Sequence, residues 1–459
     1  MSDETPNVPP ADAEDATSAN RVAAISAALE TGNADEIRTL TQDLRAPDLA
    51  DLIELLEPEE RVRLIERLGT GFDPEVLSEL EESVRDQLVE ALPNDVLARV
   101  ITELDTDDAA YVLENLEAAD QQEILAQIPS SDRLALERNL EYPEETAGRL
   151  MQTDFVAVPP FWTVGRVIDH MREAEDLPET FTDIFVVDPG YRVLGTIDLS
   201  RLLRTKREVL VEKLMEADQH TVAATVDQEE LARQFERYDL KSAPVVDANQ
   251  RLVGVVTVDD IVEVIEEETD EDLRRLAGVG DESIGDSVVS TVRSRFLWLA
   301  INLCTAVMAA SVIKQFDASI EQMVALAVLM PIVASMGGNA ATQTMAVTVR
   351  ALATRDLGPA NRLRIILREA AVGLINGIAF ATILGVVVFL WFGVGPLGAV
   401  IATAMLINLL TAAIAGILIP IGLERAGFDP AVASGTFVTT ITDVTGFFAF
   451  LGLATLVLL

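Results

Sequence analysis

The spacing of apolar positions changes twice along this 459-residue chain, dividing it into three parts. In the first part a leucine or isoleucine recurs every twelve residues, at Leu44, Leu56, Leu68, Leu80, Leu92, Leu104, Leu116, Ile128 and Leu140. Several of these are followed by helix-opening signals: Glu57-Pro58-Glu59-Glu60, Pro93-Asn94-Asp95, Asp105-Thr106-Asp107-Asp108 and Pro129-Ser130-Ser131-Asp132. Proline in the first turn, with Asp or Ser as cap, marks a new helix each time. The pattern predicts helices of about eight or nine residues stacked as a superhelix over residues 21–145, with the leucines as its core. Nothing in this segment forms a catalytic constellation. Residues 1–20 are acidic and rich in Pro and Ala, without the basic start and apolar core of a signal peptide. They are expected to be a disordered tail, and the N-terminal half to stay in the cytoplasm.

In the second part short β-branched runs alternate with polar turns, and the pattern is duplicated. Leu150-Met151, Asp154 and Val158 answer Leu214-Met215, Asp218 and Val222. Val186-Val187-Asp188 and Gly195 answer Val245-Val246-Asp247 and Gly254, fifty-nine residues later. Each copy reads as strand, helix, strand, turn, strand, helix, over residues 146–210 and 211–266. The pair resembles tandem CBS domains, a family that binds adenine nucleotides. Its ribose-binding signature is kept in the second copy as Gly254, Thr257 and Asp260, which implies ATP or another adenine nucleotide there. In the first copy the matching positions are Asp198 and Arg201. The same Thr257 and Asp260 also read as a plain helix start.

The third part, residues 291–459, holds five apolar runs: Phe296–Ile313, Met323–Val349, Ala370–Phe392, Leu397–Leu423 and Ala431–Leu459. Each approaches or exceeds the ~20 residues that cross a bilayer. The connection at 350–368 carries Arg350, Arg355, Arg362, Arg364 and Arg368, and Arg293 and Arg295 precede the first run. Positive charge marks the cytoplasmic side, so the N-terminus is expected inside the cell membrane and the C-terminus outside.

Charge sharpens this division. Residues 290–459 carry a net +2, whereas residues 1–289 carry −43. So acidic a surface excludes nucleic acid as a partner, because phosphate binding needs the opposite sign. Two readings remain, adaptation to high salt and a surface that binds divalent cations, and composition does not separate them. Between Asp259 and Asp272 nine of fourteen residues are acidic, while Val258, Ile261, Val262, Val264 and Ile265 make an apolar stripe. A charged linker helix is expected over 258–290. Like charges one turn apart destabilise it unless cations gather there. The single cysteine, Cys304, leaves no disulfide framework or Cys-based zinc site. The two histidines, His170 and His220, suit packing better than ligation.

Two features of the apolar runs carry candidate chemistry. Asp443 is the only carboxylate inside them, and a charge at bilayer depth usually faces a water-filled path. The second run contains Pro331 and Gly337-Gly338-Asn339-Ala340-Ala341-Thr342-Gln343. Pro and paired Gly are expected to loosen that helix, with freed carbonyls, Asn339 and Gln343 on one face. A packing kink is the alternative.

This order of parts, with P-x-x-x-x-x-G-G-N in the second run and T-D-V-T-G in the last, resembles the MgtE-type magnesium transporters and channels. The resemblance covers nearly all the chain from about residue 25. The chain departs from the family pattern at Ala341, commonly Gly, and at Thr436, commonly Pro. The resemblance implies a multidomain membrane protein, not an enzyme: an all-α superhelical N domain, an α/β CBS pair and a five-span α-helical domain. It implies a homodimer with one central pore, so that two copies of Asp443 hold hydrated Mg2+ near Thr439 and Asn339. It also implies closure by cytosolic Mg2+ bound to Glu75, Asp107, Asp227, Glu229, Asp239, Asp260, Glu263, Glu268, Glu271, Asp272 and Asp429. Transport of Mn2+ or Co2+, and a membrane-anchored nucleotide sensor, are the competing readings.

Overall fold

The computed structural model describes residues 11–174, 177–178, 180–217, 220–279, 288–358 and 360–459. Asp218 of the repeat lies outside them. The chain divides into two compact units, residues 1–266 and 267–459.

The first unit opens with nine helices, α1 (Ala11–Thr31), α2 (Ala34–Thr41), α3 (Ala46–Glu54), α4 (Pro58–Leu68), α5 (Glu82–Ala91), α6 (Asn94–Glu103), α7 (Thr106–Leu113), α8 (Ala118–Leu125) and α9 (Ser130–Leu140). The twelve-residue leucine spacing is one helix plus one turn. Leu68 ends α4, Leu92 and Leu104 cap α5 and α6, and Leu140 ends α9. All nine repeat positions are buried in, or packed against, one core. Full burial of such a side chain is worth about 1.5–3 kcal/mol, so the repeat positions contribute much of what holds the helices together. Helix starts follow the polar signals. In α4, Pro58 opens the helix and the Glu60 carboxylate accepts from the Glu57 N–H at 3.4 Å. The expected tail is corrected in part: α1 begins at Ala11, because Ala11, Ala13, Ala16 and Ala19 are strong helix formers.

The duplicated segment forms two three-stranded sheets. The first is β1 (Ala157–Val158), β2 (Asp183–Val187) and β3 (Val193–Asp198); the second is β4 (Val222–Ala223), β5 (Ser242–Val246) and β6 (Leu252–Thr257). In each sheet the first pair is parallel and the second antiparallel. Helices α10 (Val164–Glu173), α11 (Leu199–Leu203) and α12 (Val211–Leu214) accompany the first sheet, and α13 (Gln228–Tyr238) the second. The 59-residue register reappears in the turns. Asp188 Oδ1 accepts from the N–H groups of Gly190 and Arg192 at 2.7 and 2.9 Å, and Asp247 Oδ1 from those of Asn249 and Arg251 at 2.8 and 2.9 Å. A side chain at Gly254 would stand 2.7 Å from the Gln152 carbonyl, so the chain crosses there only because Gly has none. His170 packs edge-on to Trp162 and His220 stacks on Tyr238, consistent with packing roles.

Helix α14 (Val258–Leu276) leaves β6 and runs into the second unit. There follow α15 (Val288–Lys314), short α16 (Asp317–Gln322), α17 (Ala325–Ala353), α18 (Arg362–Phe392), α19 (Gly395–Ala426) and α20 (Pro430–Val457). Five of these helices are long and apolar enough to cross a membrane: α15, α17, α18, α19 and α20. Helix α19 is the most enclosed, packing on α17, α18 and α20.

Two expectations are corrected here. First, α18 starts at Arg362, eight residues before the apolar run, because Arg362 pairs with Glu424 at 3.1 Å and Arg364 and Arg368 reach water while the helix continues. Glu369 therefore lies within a spanning helix, and Asp443 is not alone. Second, α17 is an unbroken helix through Pro331, Gly337 and Gly338. Proline sits only two turns from its start, Gly337 is filled from outside by Asn408 of α19, and Gly338 meets only Thr439 Cγ2 at 4.0 Å.

Candidate ion path and cation sensor

Helix α20 presents a threonine ladder leading to Asp443. The hydroxyls of Thr439, Thr440 and Thr442 donate to their own helix at Gly435 O (2.9 Å), Thr436 O (2.6 Å) and Thr439 O (2.9 Å). Of the three, only Thr439 is open enough to offer its oxygen to water; Thr440 and Thr442 are buried. Asp443 is half-buried, and no ion pair or hydrogen bond to it is found among the described residues. A carboxylate so placed needs a cation or water.

Helix α17 meets this ladder at its glycines. A Cβ on Gly338 would lie 4.0 Å from Thr439 Cγ2, so the predicted pore residues Gly338 and Thr439 are neighbours. Gly337 is buried and faces Asn408 of α19 instead. Asn339 is exposed one turn before Gln343, also exposed. Gln343 opens into a cavity of about 170 Å³ lined also by Glu369 and Asn376 of α18. The structure thus joins Gly338 to Thr439 and places Gln343 beside α18.

The expected sensor residues fall into two groups, one in each unit. In the first, Asp107 and Asp108 open α7 and stand near Asp260 in the first turn of α14. Asp107 Oδ1 is buried with no hydrogen-bond partner among the described residues. Burial, then the Asp260 charge, pushes Asp107 well above the usual carboxylate range and Asp108 up to about 7. Burial also raises Asp260 to about 6, against hydrogen bonds from the Thr257 N–H (3.1 Å) and hydroxyl (2.6 Å). Thr257 and Asp260 therefore form a helix cap, and the Asp260 carboxylate belongs to the acid cluster. Exposed Glu75 adds to the repulsion on Asp108. Asp227 caps α13 by accepting from the Glu229 N–H at 3.1 Å, and Asp239 ends it in the left-handed conformation at φ 51°. Both are exposed, as are Glu229 and Glu263; Glu268, already in the second unit's part of α14, is half-buried.

In the second unit, Arg275 pairs with both Glu271 and Asp429, the latter at 2.8 Å. Asp429 also caps α20, accepting from the Ala431 N–H at 2.7 Å. Burial and the Asp429 charge raise Asp272. Leu276 packs beside Ala341, Met345, Ala412 and Val438, which fixes the end of α14 on α17, α19 and α20. Among the described residues no three His, Cys, Asp or Glu side chains are arranged as a metal site. Sequence reading missed Asp108, Arg275 and Asn408. Asn408 had a signal, as the one amide side chain in α19.

Comparison with known proteins follows the same division. Family models match for the MgtE intracellular N domain over residues 44–145, for CBS domains over 147–208 and 211–267, and for a divalent cation transporter, MgtE, over 330–453. The magnesium transporter MgtE of Bacillus subtilis is 30% identical over 428 residues, covering 93% of this chain and 95% of that protein. The chain belongs to the MgtE family. The MgtE of Thermus thermophilus is 35% identical over 329 residues, covering 71% of this chain and 73% of its own. Among solved structures, the cytosolic domain of the Mg2+ channel MgtE in complex with ATP is 32% identical, covers 53% of this chain and 99% of that one, and superposes with a TM-score of 0.49.

The raised carboxylates of the first MgtE unit give a signed pH dependence. Their folded pKa values exceed the unfolded value of 3.8, so the folded unit holds more protons. Without divalent cations its stability falls as pH rises from about 4 through about 7. A bound cation favours the ionised form. Mg2+ should therefore raise the melting temperature of the full chain more at about pH 8 than at about pH 5.5. Equal shifts at the two pH values would remove Asp107, Asp108 and Asp260 from the sensor.

Proposed function

We propose that this MgtE protein is a magnesium transporter of the cell membrane, working as a homodimer and closed by cytosolic Mg2+. The reading is carried by Asp443, a half-buried carboxylate within α20 that lacks a cationic partner among the described residues. Mg2+ binds six oxygens and sheds water reluctantly, so one or two carboxylates hold it through retained waters. Two Asp443 side chains on a dimer axis, with Thr439 and Asn339 supplying further oxygens to the hydration shell, suit that demand. The carboxylate and hydroxyl oxygens of α20, in spanning helices whose sequence holds no His, suit a hard cation better than a softer metal. The arginines at 350, 355, 362, 364 and 368 support a cytoplasmic N-terminus and an outer C-terminus.

Closure follows from repulsion. Asp107, Asp108 and Asp260 hold protons or repel until a divalent cation bridges them, and Asp260 stands on the same helix, α14, that reaches the membrane unit. Cation binding favours one of two positions of that helix.

Asn339→Leu tests the path directly. An apolar group cannot hydrogen-bond the hydration shell, so Mg2+ flux in liposomes should fall about tenfold or more. Unchanged flux and selectivity would assign Asn339 to packing.

A further inference from the structure

Asn408 lies at the middle of α19, the most enclosed of the spanning helices, and is fully buried. Its Nδ2 donates to the Val333 carbonyl of α17 at 2.8 Å. Val333 O is an acceptor only, so the amide orientation is fixed chemically. Asn408 Oδ1 is buried and finds no partner among the described residues. A buried amide left half-satisfied costs stability that a leucine of similar size would not.

The amide occupies a slot made by two missing side chains. A Cβ on Gly337 of α17 would collide with Asn408 Nδ2, and a Cβ on Gly446 of α20 would come within 2.8 Å of it. One side chain thus keys into both helices that carry the candidate ion path. Gly337 precedes Gly338, which faces Thr439, and Gly446 follows Asp443 by about one turn.

We propose that Asn408 is a positioning residue for ion transport: it sets the register of α17 against α20, and so fixes where Gly338, Thr439 and Asp443 stand. The inference rests on the proposed ion path for its effect on transport, but not for its effect on register.

The test uses the full chain with its one cysteine, the exposed Cys304, changed to Ser, and with Gly338→Cys and Thr439→Cys as a cross-linking pair. Oxidation should link the pair rapidly when Asn408 is present and about tenfold or more slowly with Asn408→Leu, in protein that remains folded by size-exclusion chromatography. In the Cys-free background, Asn408→Leu should lower Mg2+ flux and broaden selectivity. Gly337→Ala should do the same, and Asn408→Ala should relieve it by vacating the slot. This pair keeps the test decisive if Asn408→Leu fails to fold. An unchanged cross-linking rate in folded Asn408→Leu, or Gly337→Ala equally damaging with and without Asn408, overturns the proposal. Asp443→Ala flux measured alongside judges the ion path separately: wild-type flux there removes that reading whatever the cross-linking shows.

Discussion

Asp443→Ala should abolish divalent-cation uptake while leaving a folded protein. The side chain contributes no ion pair or hydrogen bond among the described residues, so its removal breaks no contact of the fold. The neighbouring Thr440 and Thr442 keep their bonds to their own helix. On the proposed path the variant loses the charge that would offset the cost of bringing a divalent ion into the membrane, several kcal/mol at bilayer depth. Each 1.4 kcal/mol is about a tenfold change, so flux should drop by several orders of magnitude. Uptake by radiotracer or fluorescent indicator in proteoliposomes, with circular dichroism and size-exclusion profiles to confirm folding, decides it. Wild-type rates from a well-folded variant would exclude Asp443 from the path.

The second large effect concerns closure. Neutralising Asp260, Glu263, Glu268 and Glu271 together should shift inhibition by cytosolic Mg2+ to concentrations at least about tenfold higher. Asp260 shares the cluster with Asp107 and Asp108, and Glu271 shares Arg275 with Asp429, so the four changes reach both acid groups along α14. Constant high KCl is essential, since screening over ~3 Å at 1 M suppresses diffuse repulsion but not direct coordination. An unchanged midpoint would make the acids of α14 a salt-adapted surface and nothing more.

Much of this was legible in the amino-acid order because it depends on periodicity. The twelve-residue leucines mark helix ends, and the 59-residue offset places Asp188 and Asp247 in the same turn of two sheets. Features governed by partners far along the chain were not legible. Apolar counting stopped at Ala370, but arginines near a helix end permit α18 to begin at Arg362 and to include Glu369. Pro331 and Gly337-Gly338 read as a break, yet α17 runs whole through them, and Asn408, some seventy residues later, fills the gap at Gly337. The acids of α14 read as a uniform charged face; the fold separates Asp260, facing Asp107, from Glu271, held by Arg275.

Magnesium selectivity and closure by Mg2+ itself are tested together in one preparation. Purified protein in proteoliposomes, at constant high KCl, should pass Mg2+ from the outer face in preference to Ca2+, Mn2+ and Co2+, and millimolar Mg2+ added to the cytosolic face should stop the flux. Equal passage of Ca2+ would contradict the selectivity, and flux indifferent to cytosolic Mg2+ would contradict the closure.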